Sequence, residues 1–444
     1  MIKQRLENLN KKKWKNTKGF FLYWMQSSQR VEYNLALNYI IEKANEHGKN
    51  VLVAFVLTDY PDANLRHYDF LIQGLKEVKA KLEKKNIRFI VLKGDPVKTI
   101  SEISNNSSLL VTDRGYLKHI INWRENISKN IDIPLIQIED NVLLPVEMVS
   151  DKEEYSAATL RRKYNKILEE FDEELKFQDY KGSYIEDDFD EIDLSDYKKY
   201  LELDESVKPV EFQGGHDKGL EIFQEFLKNK LKKYSEMRND PAYDYQSNIS
   251  PFLHFGMISP IEINELLKKF SGEEKDDFFE EAFVRRELAR NFCFYNKNYD
   301  SFECITGWAR DTLKEHEKDE REYVYSFKEF ENGKTHDKYW NTAQIEMVKT
   351  GKMHGYMRMY WAKKVLEWTE DASTAYDYLI RLNNKYELDG RDENGYTGVA
   401  WTFGKHDRAW TERKVFGKTR YMNANGLKRK FDIDKYVQKI KDLD

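Results

Sequence analysis

Hydrophobicity in the first 150 residues comes in short, nearly continuous bursts. They are GFFLYW at 19–24, VLVAFVL at 51–57, IRFIVL at 87–92, LLVT at 109–112 and PLIQI at 134–138. Runs of this length without polar alternation predict strands covered on both faces, as in parallel sheets. The stretches between them, 31–46 and 66–85 for example, repeat their apolar positions with a helical period. Strand and helix therefore alternate, and the pattern predicts a doubly wound, Rossmann-like α/β domain. No G-x-G-x-x-G follows the first strand, so the usual dinucleotide fingerprint is absent.

The pattern then changes twice. From about 150 to 215 the chain is acidic and irregular, and beyond 216 helical periodicity takes over at 219–234, 260–270, 276–296, 340–349, 353–369 and 372–383. A chain of 444 residues is too long for one ordinary core. We expect an α/β domain over 1–150, an acidic connection over 151–215 and an all-helical domain over 216–444. No apolar run approaches the roughly 20 residues of a membrane span, and the basic N-terminus lacks the apolar core of a secretory signal. Cys293 and Cys304 are too few for a disulfide framework or a thiolate zinc site, so both are expected as reduced core residues, with no metal and a cytoplasmic location.

Net charge is −5, but it is unevenly spread. Residues 169–205 carry 16 acids against 4 lysines, a net of −12, which leaves +7 for the remainder. Residues 401–430 hold 9 Lys/Arg against 2 acids. A concentrated basic stretch is compatible with a phosphate-backbone partner, although solvated lysine-rich faces are common.

Four blocks in the helical half could carry chemistry. In YSEMRNDPAYDYQSNISPFLHFG (234–256), Ser247 and Ser250 flank a loop entering a helix, where hydroxyls and free N–H groups suit phosphate. FFEEAFVRRELARNF (278–292) packs Glu281, Arg285, Arg286, Glu287 and Arg290 together, and by itself is a solvated charged face. GKMHGYMRMYWAKKVLEW (351–368) puts Trp361 and Trp368 on one helical face about 10 Å apart, with Trp340 upstream. Such steps suit electron hopping, although by spacing alone an ordinary aromatic core stripe is the commoner reading. Arg358 in that apolar setting needs a buried carboxylate or an anionic ligand. In LNNKYELDGRDENGYTGVAW (382–401), Asp389 and Asp392 are its natural partners, and Gly390, Gly395 and Gly398 predict tight turns rather than a helix.

Together these blocks, with HDRAWTERKVFGKTRYMN and SPFLHFGMIS, resemble the class II cyclobutane pyrimidine dimer photolyases across both halves of the chain. The resemblance implies an N-terminal α/β domain, a helical domain binding FAD, and light-driven repair of ultraviolet-damaged double-stranded DNA by a monomer with the lesion flipped out. It implies Tyr234, Ser247, Ile249, Ser250, Arg286, Arg358, Asp389 and Asp392 as FAD-binding residues. Asn383 corresponds to an amide near the reactive flavin nitrogen. Trp361, Trp340 and Trp368 correspond to the proximal, middle and distal members of a photoreduction chain. Glu281, Met359 and Trp401 match lesion-pocket residues, and Arg238, Asn239, Arg408, Trp410 and Arg420 match segments that touch DNA. Val284 departs from other classes, which place a tryptophan there. A deazaflavin or folate antenna is left open. The alternatives are a cryptochrome-like photoreceptor, a (6-4) photolyase, and a nucleotide-binding α/β protein, the last of which leaves the second half unexplained.

Overall fold

The computed structural model describes residues 2–15, 19–171 and 175–443. Two compact units are interleaved along the chain. The first comprises 1–149, 163–224 and 248–270, and the second 150–162, 225–247 and 271–444. The acidic stretch expected as a connection is thus divided, and from residue 163 onward it belongs to the first unit.

That unit is built on a six-stranded sheet: β1 (Leu6–Asn8), β2 (Phe20–Trp24), β3 (Val51–Leu57), β4 (Arg88–Lys93), β5 (Ser107–Asp113) and β6 (Leu135–Ile138). Their order is β1-β6-β5-β2-β3-β4, parallel except for β1, which pairs antiparallel to β6 with Leu6 opposite Ile138. The five apolar bursts are the five parallel strands, and β1 is the addition. The order reverses between β2 and β5, as the doubly wound reading predicts. Helices α1 (Leu35–His47), α2 (Leu65–Lys84), α3 (Pro96–Ser104) and α4 (Lys118–Asn130) make the connections.

One core gathers Leu22, Trp24, Leu52, Ala54 and Leu110 from the strands, Ile100 from α3 and Ile127 from α4. Ile185 and Phe189, from the acidic stretch, pack on the same cluster. An irregular segment must satisfy its backbone polar groups without a ladder. Here asparagines do it: Asn38 donates to Lys176 O at 3.1 Å and accepts from Gln178 N at 2.9 Å, while Asn45 bonds Asp179 O and Lys181 N, each at 2.9 Å. The acids of the stretch stay largely exposed, while Phe171, Ile185, Ile192, Leu194 and Val207 are buried.

The tightest polar knot of this unit is the fully buried Arg30. Its guanidinium lies 2.8 Å from the Asp140 carboxylate and donates to Asn141 Oδ1 at 2.7 Å and Gly256 O at 2.8 Å. Removing one member of a buried pair strands the other. Arg30→Ala should therefore cost about 3–5 kcal/mol in chemical denaturation, and a loss no larger than that of an exposed Arg→Ala would refute this account of the core.

Candidate functional site

The second unit carries α5 (Glu273–Phe279), a π-helical turn (Glu280–Arg285), α6 (Arg286–Tyr295), α7 (Trp308–Glu315), α8 (Lys338–Thr350), α9 (Gly355–Glu367), α10 (Ala372–Tyr386) and α11 (Glu393–Thr402). Asp337 starts α8: its Oδ1 accepts from Tyr339 N at 2.8 Å and Trp340 N at 3.2 Å. Its other oxygen accepts the Tyr360 hydroxyl from α9. The pair of helices so joined holds the tryptophans. Trp340 stands between Trp361 and Trp368, its ring centroid 6.3 Å from each, nearly parallel to the first and tilted by 65° to the second. Trp340 Nε1 donates to Trp361 O at 3.0 Å, and Trp361 Nε1 to Gln344 Oε1 at 2.9 Å. Gln344, buried on α8, has no motif to announce it. Its position one turn after Trp340 is the signal that could have found it.

Arg358 projects from α9 toward the α10–α11 turn. Its nearest carboxylate is Glu387 at 2.9 Å, with Asp389 at 3.5 Å. The sequence reading named Asp389 and Asp392 and missed Glu387. Asp392 does something else: it accepts from Asn394 N at 2.6 Å as the cap of α11 and lies 3.6 Å from Arg290. The Arg358 Nε is buried and has no hydrogen-bond partner among the described residues. Glu387 is buried too, and burial pushes its carboxyl up to about 8 against the opposing pull of Arg358.

The glycine-rich block corrects a second expectation. Only its centre is a turn, and Gly395 and Gly398 lie inside α11. Close packing explains Gly395, because a Cβ there would come 2.8 Å from the Asn383 amide nitrogen. Asn383, buried on α10, owes its place to that missing side chain.

Tyr234 is buried against Phe226 and Phe278, and burial raises its hydroxyl to about 12. Beside it Arg238 binds Glu281 at 2.8 Å, and Arg285 reaches the same Glu281 oxygen at 3.2 Å. Two residues assigned separately, one to DNA and one to the lesion, are thus an ion pair. Asn239 and Ser247 are half-buried in the following turn and loop. Arg286 is buried on α6, where burial and then Arg290 lower it to about 10. Val284 is buried in the π-helical turn. Ile249 and Ser250 belong to the first unit, Ile249 buried and Ser250 opening a five-residue helix.

The basic stretch is organised by stacking. The Arg420 guanidinium lies 5.5 Å from the Trp401 ring centroid and 5.3 Å from that of Trp410, and Arg408 covers Trp410 at 5.0 Å. Trp410 Nε1 is anchored on Asp407 at 3.2 Å. Met359, half-buried on α9, is next to Arg358 in sequence. Most other cations between 405 and 430 are exposed. The arrangement offers aromatic faces beside exposed positive charge, a combination suited to nucleic acid.

Comparison with known proteins agrees with these features. Residues 21–179 match the family described as DNA photolyase. The chain is 46% identical to the deoxyribodipyrimidine photo-lyase of Methanothermobacter thermautotrophicus, covering 99% of this chain and 98% of that one. Its fold is similar to a class III photolyase from Agrobacterium tumefaciens, with TM-score 0.76 and 18% identity over 96% of this chain and 87% of the other. It is also similar to an archaeal photolyase from Sulfolobus tokodaii solved with two FAD molecules, with TM-score 0.72 and 20% identity over 94% and 89% of the two chains.

The Glu387 carboxyl binds its proton more tightly in the folded protein than in the unfolded chain. Its contribution to stability is complete below its ordinary value of 4.5 and is lost as pH rises through about 8. Denaturation midpoints measured between about pH 5 and about pH 9 should therefore fall more steeply for wild type than for Glu387→Gln. Identical slopes would mean that Glu387 titrates normally.

Proposed function

The chain belongs to the DNA photolyase family, and on that premise we propose that it is a class II enzyme repairing cyclobutane pyrimidine dimers in DNA with light. The observation that carries this reading is the buried stack of Trp361, Trp340 and Trp368 beside the Arg358 cluster. Of the residues that the resemblance assigns to FAD, the second unit carries Tyr234, Ser247, Arg286, Arg358, Asp389 and Asp392. Their chemistry fits a large polar cofactor. Arg358 has a buried Nε without a partner among the described residues. Asn383 presents an amide for which Gly395 leaves room. The relative from Sulfolobus tokodaii was solved with FAD.

When bound and fully reduced, FAD supplies on illumination the electron that splits the cyclobutane ring. The chain's own residues bind, orient and exclude water. Tyr234, Ser247 and Arg286 would hold the cofactor's polar groups, Arg358 with Asp389 and Glu387 would offer charge to it, and Asp392 positions α11. Exposed Arg408 and its basic neighbours displace counterions from DNA phosphates. Extrusion of the dimer costs a few kcal/mol, least where pairing is already damaged. Trp401, stiffened by Arg420, and Met359 receive the extruded bases. Glu281, held by Arg238 and Arg285, meets their polar edge and stabilises charge developing there. The tryptophans would supply electrons to the bound cofactor and would take no part in splitting the ring.

Two experiments test this. Protein loaded with reduced FAD should restore dimer-containing DNA under blue or near-ultraviolet light, with no restoration in the dark and none of (6-4) lesions. Binding of dimers without splitting under light would replace repair with signalling. Separately, Trp361→Phe should retain FAD but lose its photoreduction, while the chemically reduced variant still repairs DNA. Undiminished photoreduction would remove Trp361 from the relay.

A further inference from the structure

Two consecutive acids, Glu280 and Glu281, open the π-helical turn between α5 and α6. Glu281 is held by Arg238 at 2.8 Å. Glu280 is held by Arg161, whose Nε donates to Oε2 at 2.7 Å and whose Nη2 donates to Oε1 at 2.5 Å. Arg285 does not discriminate between the two acids, lying 3.4 Å from Glu280 Oε1 and 3.2 Å from Glu281 Oε1. The fork from Arg161 is bidentate, an arrangement that fixes a carboxylate in direction as well as distance.

Arg161 does not reach Glu280 from a free arm. Its segment, 150–162 of the second unit, is tied to α6 beyond the turn. Asn291 accepts from Glu154 N at 2.8 Å and donates to Lys152 O at 2.9 Å, and the Tyr295 hydroxyl donates to Ser150 O at 2.7 Å. One strap thus grips the π-helical turn at its first residue and the helix that follows it at Asn291 and Tyr295. A π-helical turn holds one residue more than an α-helical one. Closing it to an ordinary α-turn would rotate Glu280 and Glu281 by about 100° relative to Asn291, the angle between consecutive residues. The direction that Glu281 now takes would then fall to its neighbour.

We propose that Arg161 is a positioning residue for Glu281: by clamping Glu280 from the strap, it holds the π-helical turn in the register that brings Glu281 to Arg238. This inference rests on the reading above in which Glu281 meets the extruded bases. A carboxylate stabilises developing charge only when it is aimed before the reaction begins. A misplacement of about 1 Å can lower a rate roughly a hundredfold, even when its cause lies far from the chemistry. A partly exposed ion pair serving stability alone would not need to choose between two adjacent acids. Here each acid has its own arginine, and the two arginines come from different segments of the chain.

The test compares Arg161→Ala, Glu280→Gln and Glu281→Gln in protein loaded with reduced FAD, reading dimer splitting per absorbed photon and affinity for undamaged DNA. Glu281→Gln should lower the splitting yield several-fold. Arg161→Ala and Glu280→Gln break the same fork from its two ends. Each should lower the yield by a similar factor, and the pair by no more than either alone. Added to Glu281→Gln, Arg161→Ala should cause no further loss, because it acts through that side chain. Affinity for undamaged DNA and the bound-flavin spectrum should stay as in wild type. Undiminished splitting in Arg161→Ala, with Glu281→Gln impaired, would overturn the proposal alone, as would losses that multiply when those two substitutions are combined. Undiminished splitting in Glu281→Gln would remove the reading of Glu281 and the proposal with it.

Discussion

The geometry of the second unit depends on one carboxylate. Asp337 is buried, and its two oxygens serve two helices: one starts α8 through the Tyr339 and Trp340 amides, the other takes the Tyr360 hydroxyl from α9. A buried carboxylate is tolerable only when its lone pairs are used, and charge-assisted bonds are about twice as strong as neutral ones. Burial and the Asp337 charge hold the Tyr360 hydroxyl far above the usual phenol range, so it remains the donor. Trp340 lies in the first turn of α8 and Trp361 follows Tyr360 by one residue. The bond that joins the helices therefore also sets the indole stack.

Charge elsewhere in this unit divides into two regimes. Arg358 and Arg290 are held inside by acidic side chains, Glu387 and Asp389 for the first, Asp392 and Glu393 for the second. These pairs fix the ends of α10 and α11 and leave little freedom in the turn between them. Arg420 belongs to the other regime, since it is held by two indole faces. Trp401 and Arg420 were given different tasks on sequence grounds, one for the lesion and one for phosphate. A residue in contact with another does not act independently of it, so loss of Arg420 also frees the Trp401 ring. The two assigned tasks therefore fall on residues that are in contact.

Much of the first unit was legible because its parallel strands are buried on both faces and read as apolar bursts. The strand β1 was not: its three residues sit in a lysine-rich stretch and gain meaning only by pairing with β6. The tryptophans were legible as a set, but spacing along α9 could not show that Trp340 would stand between the other two. Glu387 was hidden in a segment that reads as a turn. Long-range neighbours are the part of a site that periodicity does not encode.

The glycine-rich block failed for a different reason. Glycine in a helix interior costs about 1 kcal/mol relative to alanine, so two glycines among Asn, Asp and Thr argue locally against a helix. The structure makes one anyway, with Asp392 as its cap. Gly395 is explained by the Asn383 amide, which a Cβ would displace. Gly398 is exposed with nothing near it, and no contact in the structure accounts for it. Local rules are broken again at the π-helical turn that carries Glu281, and at Arg358, a cation set in an apolar helix face. The last two departures carry residues assigned to the site, and in the first Gly395 packs on another such residue, Asn383. Elsewhere in this unit, caps such as Asp371 on α10 obey the ordinary preferences. Conflict between local propensity and tertiary structure is expected where function imposes a geometry that folding alone would not choose.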